Sequence, residues 1–219
     1  MACTLQWTFG IVVFASAGPF PFTPVDSRSE PVIGPLRNGL RTLSTGLMAH
    51  LDILHHPDPR LRCHAEPVDQ VDDAVRQFAA DMAQAMYAAE GIGLAATQVG
   101  DPRRIIVMDL STGRDELIVL VNPEISASEG TQVCEEGCLS VPEYRAEVER
   151  AERVEVQALG LDGQPLRLEA DGLLAVCVQH EIDHLDGRLF IDYLSRLKRE
   201  RVTRRLEKLR REAAQAGAA

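Results

Sequence analysis

Residues 179–187 read Gln-His-Glu-Ile-Asp-His-Leu-Asp-Gly, an H-E-x-x-H pattern followed by a glycine able to end a helix. Residues four apart on an α-helix lie on one face, one turn above the other. His180 and His184 can therefore aim two imidazoles at one metal ion. Glu181, beside the first histidine, can exchange a proton with a water on that ion. Two ligands do not complete a site, so the chain must fold a third donor against this helix.

The downstream acids Glu200 and Glu207 are the donors a metallopeptidase would use, but both sit among Lys and Arg and are adequately explained as surface partners. His50, His55, His56 and His64 lie in a Pro-rich lead-in and read as surface or packing residues. Cys63 and Cys177 have apolar or neutral neighbours, the usual setting of a small buried thiol; Cys177, one turn before His180, can also line the site. Cys134 and Cys138 are four apart, which is not the spacing of a zinc knuckle. Cys138 follows Gly137, which permits a tight turn, and a β-like run can bring it beside the helix. One thiolate and two imidazoles leave a coordination position open for water, and suit zinc, ferrous iron, cobalt or nickel.

Val71, Val75, Phe78, Met82 and Met86 recur every three or four residues, so the spacing predicts an amphipathic helix over about 70–90, ended by Gly91. Its Met and Phe stripe reads as core packing. Residues 104–110 and 117–122 are β-rich and flank a Ser-Thr-Gly turn, a hairpin pattern. Residues 132–141 read as loop or strand, and 145–159 as one or two half-exposed strands. Asp162-Gly163 marks a turn before Leu166 and Leu168. Asp171 is the expected N-cap of the H-E-x-x-H helix. A last helix is expected over 194–212, with Leu194, Leu197, Val202, Leu206 and Leu209 as its apolar stripe. Helix, then antiparallel strands, then helix defines an α+β domain.

Charge divides the chain. Residues 1–47 carry net +1, residues 195–212 net +6 and residues 48–194 net −17. Only the basic tail suits a polyanion such as RNA. Five cysteines without a disulfide-framework spacing suit a reducing compartment, and no stretch is long and apolar enough to span a membrane. Residues 1–47 are rich in Gly, Pro, Ser and Thr and lack sustained periodicity. They read as a leader preceding a natural start at Met48, as a transit peptide, or, with no positive n-region, as a poor secretion signal.

GIGLAATQVG (91–100), EGCLS (136–140) and HEIDH (180–184), intact and in this order, resemble the three signature motifs of the peptide deformylases. The resemblance covers nearly all of residues 48–193, and the run from Leu51 to Arg62 looks like that family's usual beginning, which supports Met48 as the start. It implies a catalytic domain over 48–194 followed by a basic tail over 195–219, with antiparallel sheets packed around a central H-E-x-x-H helix.

The resemblance further implies hydrolysis of the formyl group from N-formylmethionyl nascent peptides, releasing formate. Cys138, His180 and His184 then hold one divalent metal, ferrous iron in the cell, with zinc, nickel or cobalt as substitutes. Glu181 carries the proton, and the Gln98 amide and Leu139 backbone N–H stabilise the oxyanion. Backbone along Ile92-Gly93 and the edge Glu135–Gly137 receives the peptide as an added strand. Leu173, Val176, Cys177, Ile92 and the face of His180, on the site side of the helix by spacing, are the candidates for the methionine pocket; Arg145 and Glu90 either rim it or form a solvated ion pair. The resemblance also implies a monomer in the bacterial cytoplasm, or in a mitochondrion or plastid if residues 1–47 are a transit peptide. The tail either packs its leucines on the body or docks on ribosomal RNA. The competing reading is an H-E-x-x-H endopeptidase with an acidic ligand after His184.

Overall fold

A computed structural model describes residues 51–216; the leader expected over 1–47, and His50, lie outside them. The chain runs through helix α1 (Asp73–Ala88), strands β1 (Gly93–Ala95), β2 (Ile105–Met108), β3 (Ile118–Glu129), β4 (Gln132–Cys138), β5 (Val141–Arg150), β6 (Arg153–Leu159) and β7 (Pro165–Asp171), helix α2 (Gly172–Leu185) and helix α3 (Arg196–Ala216). Five strands form an antiparallel sheet in the order β1-β2-β3-β6-β7, and β4 pairs with β5 separately. The α+β expectation holds. Among the described residues no helix is long and apolar enough to cross a membrane.

Helix α1 begins where the Asp72 carboxylate accepts from the Val75 amide at 2.9 Å, a side-chain N-cap. Its apolar stripe buries Val75, Ala79, Met82 and Met86 against Leu94, Ile105, Val107 and Val121 of the sheet. Each fully buried Met contributes roughly 1.5–3 kcal/mol by removal from water. Phe78 stays at the margin, with the Arg103 guanidinium 4.0 Å above its ring.

The predicted hairpin is β2 with β3, but β3 continues to Glu129 and crosses register irregularities to reach β6. Helix α2 packs Ala175, Cys177, Val178, Ile182 and Leu185 on the other side of the strands, against Ile106, Met108, Leu120 and Val156. Gln179 ties it to the β5–β6 junction: its Nε2 donates to Ala151 O and its Oε1 accepts from Ala151 N, each at 3.0 Å. Gly187 follows with φ +71°, and a side chain there would meet Arg62 O at 2.6 Å; only glycine suits this helix end.

Three local expectations need correction. Asp171 stands at the N-cap of α2 but its side chain makes no capping bond, because it is also the last residue of β7, paired with Arg153. Gly137 makes no tight turn. It pairs regularly with Arg145, and the irregularity falls between Gly137 and Cys138, which pairs with Val141. In α3, Val202 and Leu206 are buried with Leu194, but Leu197 is 57% exposed. Leu197 lies five residues before Val202, about 140° round the helix, so it faces away.

Candidate metal centre

Helix α2 presents His180 and His184 on its buried side, as their spacing requires, and their Nε2 atoms stand 3.2 Å apart. The end of β4 brings Cys138 to the same point, its Sγ 3.2 Å from His184 Nε2. Among the described residues these three form the one group of His, Cys or acidic side chains disposed to hold an ion, with ligand atoms all within 4.8 Å. Metal–ligand bonds of about 2.0–2.3 Å subtend tetrahedral edges of about 3.3–3.8 Å, and the 3.2 Å separations fall just short of that range. The donor set therefore fits a divalent metal with one position left open.

The chain holds these ligands from behind. His180 Nδ1 lies 2.8 Å from Glu136 Oε2, an arrangement in which the ring donates from Nδ1 and leaves Nε2 for the metal. Glu136 in turn accepts from Arg150 Nε at 2.7 Å and Nη2 at 3.0 Å. Arg150 also donates to Asp183. Burial opposes ionisation of Glu136, but the bonds from His180 and Arg150 outweigh it and hold its carboxyl down to about 2. For His180 burial favours the neutral ring, yet the neighbouring Cys138 and Glu136 push its pKa up. Burial, then the charges of His180 and Arg150, push His184 down. Thr97 Oγ1 donates to His184 O at 3.0 Å and so ties the GIGLAATQVG segment to the end of α2.

Glu181 is fully buried, and neither carboxylate oxygen has a hydrogen-bond partner among the described residues. Burial pushes its pKa up to about 7, with Glu136 adding and His180 and Arg150 opposing. A carboxyl poised near neutrality beside a metal triad suits proton transfer. Gly93 passes directly over it: a Cβ there would lie 2.3 Å from Glu181 Oε1 and 3.0 Å from Cys177 Sγ. Only a residue without a side chain lets β1 cross α2 at this point.

Gln98 is also buried. Its Nε2 donates to Ser140 Oγ at 3.1 Å and approaches Cys138 Sγ at 3.6 Å, while its Oε1 accepts from Ala95 N at 2.8 Å. The lead-in segment secures this loop, since Leu54 N donates to Gln98 O and His56 N to Ser140 O. Leu139 is half-buried beside Gly91.

The remaining sequence-derived positions divide. Ile92 is half-buried and its carbonyl accepts from Asp109 N at 2.9 Å. Among the described residues, strand β1 ends its sheet and β4 has a partner only in β5, so Gly93 and Glu135–Gly137 lie on strands with one unpaired edge. Arg145 is half-buried opposite Gly137. Leu173 is half-buried in the first turn of α2, and Val176, one turn before His180, is fully buried. Cys177 is fully buried beneath β1, its Sγ against Ile92 O. Glu90 is exposed. The downstream acids stay away from the triad. Glu200 pairs with Arg196 and Arg204 on the surface of α3, and His56 bonds Thr203.

Sequence reasoning missed Glu136, Arg150, Asp183 and Ser140. Glu136 and Ser140 sit inside EGCLS and were visible there as polar residues flanking Cys138. Arg150 is one of several charged residues in an alternating strand, and nothing local distinguishes it.

Comparison with known proteins adds an independent line. A sequence model of the family described as polypeptide deformylase matches residues 50–200. A peptide deformylase of Alkalilimnicola ehrlichii is 60% identical over 166 residues, spanning 75% of this chain and 93% of that protein. The crystal structure of a peptide deformylase from Legionella pneumophila superposes with a TM-score of 0.72 at 48% identity, covering 76% of this chain and 98% of that one. A Synechococcus elongatus peptide deformylase solved with actinonin gives 0.68 at 45% identity, covering 72% and 88%.

Proposed function

The chain belongs to the polypeptide deformylase family, and from that premise we infer the reaction of its buried triad. The enzyme is a metallohydrolase that removes the N-formyl group from newly made peptides, giving formate and a free amino terminus. The carrying observation is the convergence of Cys138 Sγ, His184 Nε2 and His180 Nε2 beside the unpartnered carboxylate of Glu181.

Cys138, His180 and His184 would hold the metal, which when bound would polarise the formyl carbonyl and lower the pKa of a water. Glu181 accepts the proton lost by that water and returns it to the leaving amine, so one water divides between formate and the new amino group. The Gln98 amide and the Leu139 N–H donate to the oxygen on which charge develops; losing one such donor costs about a hundredfold or more in rate. The nascent peptide adds to the unpaired edges at Gly93 and Glu135–Gly137 through backbone bonds that ignore sequence. Its methionine meets Ile92, Leu173, Val176 and the His180 face, with Cys177 backing β1 and Arg145 near the rim.

Formate release from a formyl-methionyl dipeptide tests this reading, measured for wild type and Glu181→Ala with metal content determined for both. An active wild type beside a metal-loaded, inactive variant is expected. A metal-loaded wild type that releases no formate overturns it.

Ferrous iron is the physiological metal on this reading, by resemblance to the family; the softness of one thiolate and two imidazoles accepts zinc, cobalt and nickel as well. Aerobic handling should then lower activity, and nickel or cobalt should hold it. The enzyme acts as a monomer in a bacterial cytoplasm. The basic face of α3 docks on ribosomal RNA. Val202 and Leu206 pack in the cluster that contains Cys138, so truncating the helix would disturb the body. Reversing the exposed charges of Lys198, Arg201 and Arg210 tests docking instead. Weakened ribosome co-sedimentation with unchanged dipeptide hydrolysis is expected, and unchanged co-sedimentation removes the idea.

A further inference from the structure

The 3-10 turn Phe190–Tyr193, between α2 and α3, reaches His180 by two separate routes. In the first, the Phe190 ring stacks on the His180 ring, with centroids 6.1 Å apart and planes inclined by 27°. The second is a chain of hydrogen bonds. Tyr193 Oη donates to Asp183 Oδ2 at 2.8 Å and accepts from Arg150 Nη1 at 3.3 Å. Arg150 bonds Asp183 and forks onto Glu136, and Glu136 takes His180 Nδ1. The inner members are buried, while Tyr193 is 48% exposed.

We propose that Tyr193 and Asp183 are positioning residues that set how tightly the metal is retained. The inference rests on the metal reading of Cys138, His180 and His184. A guanidinium is a rigid planar fork, so its orientation is fixed by the acceptors at both ends. Glu136 holds one end of Arg150; Asp183 and Tyr193 hold the other. With the outer end released, Arg150 can swing, and Glu136 no longer has one fixed position from which to orient His180. The imidazole then loses its alignment towards Cys138 and His184. Tyr193 also lies 4.8 Å from the Arg150 guanidinium through its ring, so Tyr193→Phe keeps that contact and removes only the hydroxyl.

The test uses the full chain loaded with Co2+, whose thiolate absorption reports the Cys138 bond. A chelator is added and the loss of that band is timed for wild type, Tyr193→Phe and Asp183→Asn, with thermal unfolding of each metal-free protein alongside. Tyr193→Phe should release Co2+ about three- to tenfold faster, with its metal-free unfolding midpoint unchanged. Asp183→Asn should release it about ten- to a hundredfold faster. If Asp183→Asn does not fold, Tyr193→Phe decides alone. Release at the wild-type rate overturns the inference while leaving the metal reading intact. A wild type that takes up no Co2+ overturns both.

Discussion

Gly93 crosses Glu181 so closely that a Cβ on the glycine would stand 2.3 Å from the carboxylate oxygen. The contact joins the edge strand proposed to receive substrate to the residue proposed to move the proton, and it leaves no room for a side chain.

Gly93→Ala should therefore act on Glu181 before it acts on the fold. The inserted methyl must push the carboxyl aside or lift β1, and overpacking of this kind costs about 1–3 kcal/mol. A displacement of about an ångström at a reacting group lowers rate by about a hundredfold. Formate release and a urea unfolding curve on the same preparation check this. A variant with wild-type kcat/KM would show that Glu181 does not work from its observed position.

Glu181→Gln should separate stability from activity. The carboxylate oxygens have no hydrogen-bond partner among the described residues, and above about pH 7, where the group is charged, a buried charge without partners is costly. The amide keeps the shape and removes the charge. In metal-free protein the variant should unfold at a higher temperature than wild type, while formate release falls by about a hundredfold or more. A lower unfolding temperature would mean that the carboxylate has a stabilising partner beyond the described residues.

How much of this was legible in the sequence follows from the range of each interaction. His180 and His184 belong to one helix, and helical periodicity alone puts them on one face. Cys138 was reachable because the open ligand position demanded a donor and the residue chemistry narrowed the choice. The stripe of α1 was visible because its burial repeats with the helical turn. Arg150 was not visible: its partners Glu136 and Asp183 are fourteen and thirty-three residues away, and only the pairing of β4 with β5 and their packing near α2 bring them together. Leu197 misled because apolar spacing shows that a stripe exists, whereas the position of Leu194 outside the helix decides where the stripe begins.

The Tyr87–Asp109 pair predicts a pH dependence that involves none of the three candidate metal ligands. Tyr87 Oη donates to Asp109 Oδ2 at 2.6 Å, and Asp109 also accepts from the Ser111 hydroxyl and amide. Burial and the bond to Asp109 push the Tyr87 phenol up to about 12. A phenol raised above its unfolded value, about 10, contributes stability that is complete below about pH 10 and lost as pH rises towards 12. Burial opposes ionisation of Asp109, but the bonds from Tyr87 and Ser111 hold its pKa down. Its contribution is present above the unfolded value, about 3.9, and lost as pH falls through the lower folded one. Tyr87→Phe should cost about 1–3 kcal/mol at neutral pH, and the gap to wild type should narrow on both limbs. Urea midpoints across pH give the test; a gap that ignores pH would mean the hydroxyl contributes only by packing.

Arg150 is the residue on which the buried ionic network depends. It is 5% exposed and faces two acids, Glu136 and Asp183. Replacing it by Met keeps the length and apolar stem but leaves Glu136 only His180, and Asp183 only the exposed Arg188, as cationic partners. Breaking a buried pair from one side costs about 3–5 kcal/mol, so Arg150→Met should be among the most destabilising single changes in the domain. Glu136→Gln in the same background should recover part of that loss, because it removes one of the stranded charges. The recovery has a direction that simple packing damage would not share: two independent losses would add, whereas a shared network makes the second change less harmful than it is in wild type. Chemical denaturation of the four proteins of this double-mutant cycle measures the coupling. Additive losses would show that Arg150 and Glu136 stabilise the fold separately, and that the fork between them carries no energy of its own.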